Sequence, residues 1–268
     1  MPSARHGDVE IHYERTGRGA PVVLLHSFLC SASMWAGQVD TLAREHLVIN
    51  VDARGHGRSS PAHTPFSLYD LVGDVAAVLD DAEIERCVWA GLSMGGMTAL
   101  RAALRVPDRI TGLILLDTTA GRDSGLTSLK YALLGVAARV AGLRPLAPQA
   151  AREMFGVTAR RHHAALVEQW KESFVQVDVA SALQTLEALI HRDDLVRHLP
   201  RITVPTAVLV GAEDRTLPPR VARQLAKGLP IATYEEIPET GHLSALEQPE
   251  AVTEAMLRFL RAQGRVAD

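Results

Sequence analysis

Residues 87–105 open with Cys87-Val88-Trp89-Ala90-Gly91-Leu92-Ser93-Met94-Gly95-Gly96-Met97, and this stretch decides the reading of the chain. The run from Cys87 to Ala90 has strand character, and a helix-like run extends from Met94 to Arg105. Between them stands a serine with a glycine two residues to either side. The bare G-x-S-x-G pattern is common, but a strand, a sharp turn and a helix around it predict a nucleophile elbow at Ser93. A strand that reverses into a helix around one residue strains that residue's backbone. It also brings the flanking segments so close that positions 91 and 95 have no room for side chains. In return, the serine oxygen is exposed at a helix N-terminus, where free N–H groups favour negative charge.

Outward from this stretch, aliphatic runs of strand length recur at Val22–Leu25, Leu47–Val51, Leu113–Leu116 and Thr206–Val210. The continuous run Val22–Leu25 suits a strand buried on both faces. Val9 to Arg15 alternates through Val9, Ile11 and Tyr13, as a half-buried edge strand would, and a last strand is expected near Ala232–Ile237. Helical patterns separate the strands at about Ser33–Arg44, at Ser67–Asp81 with Ser67 as N-cap, at Pro219–Lys227 and at Pro249–Arg261. The expectation is an α/β fold: a mostly parallel central sheet with helices on both faces. From Gly121 to about Pro200 the strands stop and Ala/Leu-rich helical sequence takes over. This divides the chain into a core, 1–120 with 201–268, and an all-helical cap insertion, 121–200.

Composition narrows the function classes. The 268 residues suit one large domain with an inserted subdomain. A formal net charge of −3 argues against nucleic acid as a partner. Cys30 and Cys87 are too few for a disulfide framework, and Cys87 reads as a buried small hydrophobe. There is no secretory signal pattern at the N-terminus and no apolar run of membrane-spanning length, so a cytoplasmic protein with no membrane partner is expected.

Ligands of such sheets bind beyond the carboxyl ends of the strands. The residues just past successive strands here are His26, Asp52, Ser93, Asp117, Asp214 and His242. A serine, an acid and a histidine therefore share one sheet edge, in the chain order Ser…Asp…His. With His26-Ser27-Phe28, the run Asp52-Ala53-Arg54-Gly55-His56-Gly57-Arg58-Ser59, Gly91 to Gly96, Gly211-Ala212-Glu213-Asp214 and Gly241-His242, the chain resembles the α/β-hydrolases over nearly its whole length. Within them it looks most like the group of 3-oxoadipate enol-lactonases, small carboxylesterases and cofactor-free haloperoxidase-like enzymes.

A serine hydroxyl needs a base, and an imidazole titrates in the useful range. His242 is assigned that role among eleven histidines. His6, His12, His46 and His63 read as surface or strand-edge residues. His162, His163, His191 and His198 lack carboxylates at metal-ligand spacing. His56 reads as a structural hydrogen-bonding residue, and Asp52 with Arg54 as an ion pair bracing a loop. The acid that orients the imidazole has two candidates. Asp214 is favoured, as the resemblance implies, over Asp117, a position some relatives use. Asp194 is a weaker outsider, on a solvated helix end. The resemblance implies an oxyanion hole built from the backbone N–H groups of Phe28 and Met94, with Ser27 departing from the commoner glycine of that loop.

The expected activity is hydrolysis of a small carboxylic ester or lactone through an acyl-enzyme, by a triad of Ser93, His242 and Asp214. The substrate pocket is expected to involve His26, Leu126, Leu129, Leu133 and Trp170, with Met154, Phe155 and Phe174 as further candidates. Arg122, Lys130, Arg160 and Arg161 are candidates to bind a substrate carboxylate, although a solvated face is the commoner fate of such residues. Nothing in the sequence suggests a metal or organic cofactor. Perhydrolysis, with peroxide in place of water, is the alternative chemistry. A ligand sensor on the same fold is the alternative from another class. A serine at the elbow speaks against dehalogenase chemistry, which uses an aspartate there.

Overall fold

The aliphatic runs pair into one eight-stranded sheet in the computed structural model, which describes residues 2–264. Its strands are β1 (Ser3–His6), β2 (Val9–Gly17), β3 (Ala20–Leu25), β4 (His46–Val51), β5 (Cys87–Leu92), β6 (Ile110–Leu116), β7 (Thr206–Gly211) and β8 (Ala232–Ile237). Their spatial order is β1-β2-β4-β3-β5-β6-β7-β8. β1 and β2, and β2 and β4, run antiparallel; every other neighbouring pair is parallel. The alternating Val9 strand is therefore not the edge. β1, a short polar segment without periodic signal, lies outside it.

Successive residues of a strand face opposite sides of the sheet, and two cores result. On one side Val23, Leu25, Ile49, Val51 and Trp89 pack with α2 (Leu68–Asp81), α3 (Met94–Arg105) and α9 (Pro219–Gly228). On the other side Val22, Leu24, Val48, Ala90 and Ile114 meet α11 (Pro249–Gly264) and a neighbouring short helix, α1 (Ala36–Leu42). The helical stretch expected over Ser33–Arg44 is a 3-10 turn at Ala32–Trp35 followed by α1. α2 starts at Ser67, whose N–H and hydroxyl both donate to Asp70 Oδ2 at 2.7 Å, so the first turn is closed by a local carboxylate.

Between β6 and β7 the chain makes only helices: α4 (Gly125–Ala141), α5 (Ala147–Met154), α6 (Val157–His162), α7 (Ala164–Phe174) and α8 (Val179–Ile190). Ser124 caps α4 by accepting from Thr127 N–H, and Gly142, at φ +73°, ends it. Asp178 caps α8 by accepting from Ser181 N–H at 2.8 Å. A four-residue helix, α10 (Ser244–Glu247), precedes α11.

The chain runs from β3 outward to β4, then crosses back to place β5 on the other side of β3. The gap between the loops leaving β3 and β5 is thus the point where strand order reverses, the usual place for a ligand in an open α/β sheet. No helix among the described residues is long and apolar enough to cross a membrane.

Candidate active site

Ser93 occupies the turn between β5 and α3 with φ +53° and ψ −110°, a conformation that a residue with a side chain adopts only when its surroundings enforce it. Those surroundings are visible. Ser93 N–H donates to Leu116 O at 2.9 Å, and Thr118 Oγ1–H donates to Ser93 O at 2.7 Å, so β6 holds the turn from both sides. A Cβ on Gly91 would overlap the Gly95 carbonyl, and one on Gly95 would overlap Leu25 O. The two glycines let the helix start directly against β5 and β3.

Three residues distant in sequence meet here. Ser93 Oγ lies 2.9 Å from His242 Nε2, and His242 Nδ1 lies 2.8 Å from Asp214 Oδ2. An ionised carboxylate only accepts, so Nδ1 carries the proton and Nε2 presents its lone pair to the serine hydroxyl. The other carboxylate oxygen, Asp214 Oδ1, accepts from the N–H groups of Thr216 and Leu217 at 2.8 and 2.9 Å. Ser93, Asp214 and His242 are all buried. Burial opposes charging the imidazole, but Asp214, through its charge and its hydrogen bond to Nδ1–H, outweighs it and holds the His242 pKa above its ordinary value.

Asp117, the other acid candidate, lies beneath this group and takes a different role. It is fully buried at φ +46°, accepts from Gly211 N–H at 2.8 Å and receives a short hydrogen bond from Ser244 Oγ–H. Burial, and then the charge of Asp214, push its pKa up to about 8. It therefore ties the end of the Asp214 strand to the loop after His242 and does so mainly as a neutral carboxyl. Glu247, which sequence reasoning missed, is a second such clamp. Its Oε2 accepts from Gly156 and Gly241 N–H, both at 2.9 Å, and its Oε1 accepts from Leu243 N–H at 3.2 Å. A glutamate five residues past the histidine in a short helix leaves no periodic signal by which it could be found.

Phe28 and Met94 follow β3 and Ser93, and neither N–H is engaged by another group among the described residues. The Phe28 loop is held by two histidines. His26 Nδ1–H donates to Ser27 O at 2.7 Å, and Ala53 N–H donates to His26 Nε2 at 3.0 Å. His56 Nδ1–H donates to Arg54 O at 3.0 Å, while Leu29 N–H reaches His56 Nε2 at 3.4 Å. Burial holds the His26 pKa below its ordinary value. Burial, and then His26, push His56 down to about 3. Both rings are therefore neutral braces at physiological pH. His26 is fully buried behind the loop and does not line the pocket, against the expectation.

Above Ser93 and His242 lies a cavity of about 300 Å³ roofed by the helices between β6 and β7. Trp170, Met154 and Phe174 line it as expected; Phe155 is buried behind them. Leu126, Leu129 and Leu133 do not line it. They are 83%, 57% and 61% exposed, on the outer face of α4, whose inner face presents Tyr131, Leu134, Gly135 and Ala138. Arg122, Lys130, Arg160 and Arg161 are likewise absent from the lining.

Other expectations also shift. Arg54 pairs with Asp74 through two hydrogen bonds of 2.5 and 2.6 Å, not with Asp52. Asp52 instead accepts from Ala32 and Arg58 N–H at 2.7 and 3.0 Å. His12 and His46 are buried between the strands and their neighbours, whereas His162, His163, His191 and His198 are exposed, as is Asp194. No cluster of three or more potential metal ligands occurs among the described residues.

A family model described as alpha/beta hydrolase fold matches residues 20–249 of the chain. The chain belongs to the α/β-hydrolase family. Among α/β-hydrolases it is 31% identical to the 3-oxoadipate enol-lactonase 2 of Acinetobacter baylyi, over 93% of this chain and 92% of that one. A thermophilic esterase from Thermogutta terrifontis superposes with a TM-score of 0.93 at 30% identity, over 97% of each chain. The enol-lactonase from Burkholderia xenovorans LB400 superposes with a TM-score of 0.91 at 31% identity, over 97% of this chain and 100% of that one.

Proposed function

We propose that the protein is a serine hydrolase that cleaves a small carboxylic ester or lactone through an acyl-enzyme. The observation that carries this reading is the unbroken hydrogen-bonded line from Ser93 Oγ through the His242 ring to Asp214, at 2.9 and 2.8 Å. Ser93 attacks the substrate carbonyl while His242 Nε2 takes the hydroxyl proton. The resulting oxyanion accepts from Phe28 and Met94 N–H, two donors with no competing partner among the described residues. His242 then gives its proton to the leaving alkoxide. Water, deprotonated by the same nitrogen, cleaves the acyl-enzyme and restores Ser93. Asp214 stays ionised throughout and balances the imidazolium. Helices α4–α8, within the span 121–200, act as a cap that shapes the acyl site. Relatives named as esterases and enol-lactonases support an ester linkage as the target.

The test uses p-nitrophenyl acetate and longer esters with wild type and Ser93→Ala. The variant is expected to lose about 10⁶-fold in kcat, the size associated with losing the nucleophile of such a triad. A fluorophosphonate should label wild type at Ser93 and leave the variant unmodified. Retained turnover by pure Ser93→Ala would defeat the assignment.

A further inference from the structure

Most of the cavity wall is apolar, yet Asp123, Glu153 and Arg192 also face it. Apart from His242, Arg192 is the one basic side chain among the described lining residues, and most of its donors are already committed. Its Nη1–H and Nη2–H groups donate to the two oxygens of Asp123 at 2.8 and 3.0 Å. Nη1–H also donates to Leu189 O at 2.7 Å, and Nε–H donates to Gly121 O at 3.1 Å. Four of the five guanidinium N–H groups are occupied, in a bidentate pair whose side chains are 4% and 18% exposed. Glu153 pairs at 2.7 Å with Lys130, a half-exposed side chain outside the lining whose ammonium lies 6.0 Å from the centre of the Tyr131 ring. The side chains of the lining itself, Asp123, Glu153 and Arg192, carry a net charge of minus one, with the Lys130 ammonium partnering Glu153 from outside it. The uncommitted polar groups there are neutral: the Tyr131 hydroxyl and the Gln149 amide have no protein partner among the described residues. Burial, and then Asp123 and Glu153, hold the Tyr131 phenol above its ordinary pKa, so it remains a donor.

We propose that the Asp123–Arg192 pair is a specificity determinant that confines this cavity to neutral esters or lactones and turns away substrates carrying a free carboxylate. The inference rests on the hydrolase reading above and names its substrate class. A carboxylate entering here would give up its water, meet two fixed carboxylates, and find a guanidinium whose bidentate face is already filled. An unionised acyl chain meets apolar wall, with Tyr131 and Gln149 available to a neutral oxygen or amide. On this proposal the chain would turn away the lactone of a dicarboxylic acid such as the one that names the 3-oxoadipate enol-lactonase relative.

The experiment compares kcat/KM for p-nitrophenyl hexanoate and for the p-nitrophenyl monoester of adipic acid, two acyl chains of equal length. Wild type is expected to favour the hexanoate by about 100-fold or more, the scale of an uncompensated like-charge contact. Asp123→Asn uncovers part of the guanidinium and removes one negative charge, and should narrow that preference by about ten-fold, through KM for the adipyl ester. Glu153→Gln should narrow it in the same direction, and it stands in if Asp123→Asn melts early or fails to fold. A wild-type preference below about ten-fold would overturn the proposal, as would folded variants with an unchanged ratio. If wild type hydrolyses neither of these esters nor p-nitrophenyl acetate, the hydrolase reading fails and this inference falls with it; if it hydrolyses the acetate but neither six-carbon ester, this proposal alone is overturned.

Discussion

Asp214→Asn tests how the imidazole is oriented. In the wild type the Asp214 Oδ1 position receives two backbone N–H groups, from Thr216 and Leu217. An asparagine there must place its carbonyl oxygen toward those two donors, because its amide nitrogen cannot accept from them. The amide NH2 is then forced toward His242 Nδ1. That nitrogen must become an acceptor, which moves the ring proton to Nε2, against Ser93 Oγ. The base then has no lone pair for the hydroxyl. The expected loss is about 10⁴-fold in kcat, or about 5.5 kcal/mol, the effect of a wrong-tautomer histidine in an acyl-transfer triad. Asp214→Ala leaves room for water to satisfy Nδ1–H and should be no worse than the asparagine.

The pH profile supplies a second readout. Since His242 sits above its ordinary value in the wild type, kcat/KM should fall on the acid side with a midpoint above about 6.5, the unperturbed imidazole value. Removing the Asp214 charge should move that midpoint down. Glu247, whose carboxylate also raises the His242 pKa, softens the shift. The assay is steady-state hydrolysis of a neutral p-nitrophenyl ester across pH, with folding checked by circular dichroism. An Asp214→Asn enzyme within about ten-fold of wild type, or one whose acid limb stays in place, would refute the orientation argument.

Two further outcomes follow from the same geometry. Asp117 holds a proton in the folded state up to about pH 8 that the unfolded chain releases near the ordinary carboxyl value, so it makes stability fall as pH rises through that window. Asp117→Asn, which keeps the shape and suits a positive φ, should remove that slope; urea unfolding from mildly acidic to mildly alkaline pH should gain at least about 1.4 kcal/mol relative to wild type, one pKa unit's worth, and parallel curves would contradict it. Replacing Leu126, Leu129 and Leu133 together by serine should leave kcat/KM for ester hydrolysis within about two-fold, since all three point to solvent, whereas Leu134→Ala on the opposite face should change it measurably.

The elements that bring Ser93, Asp214 and His242 together were legible because each has a strong local cause. Five of the eight strands show as unbroken aliphatic runs or their ends, and the serine turn shows through Gly91 and Gly95. Position past a strand end then brought Ser93, Asp214 and His242 together on paper. What escaped were features set by long-range contact. β1 reads Ser3-Ala4-Arg5-His6 and owes its conformation to pairing with β2. Arg54 reaches Asp74 on α2, when its sequence neighbour Asp52 is taken up by backbone N–H groups. The face of α4 was misjudged for a plain reason: the helix is apolar on more than one side, so the stripe 126-129-133 competes with the stripe 131-134-135-138. Small residues at 135 and 138 settle it, because they allow α4 to approach α8 closely. The Asp123–Arg192 pair joins positions on either side of the five-helix segment, and nothing local announces it.

Glu247 has a mechanical consequence. One carboxylate grips both Gly156, between α5 and α6, and Gly241, next to His242, while His242 N–H is anchored on Met154 O at 2.9 Å. The roof at this corner and the His242 backbone are riveted to each other. Lifting that corner to admit a molecule would pull the imidazole out of line with the serine, so traffic into the chamber must use some other side of the roof, and the base stays loaded while the door works.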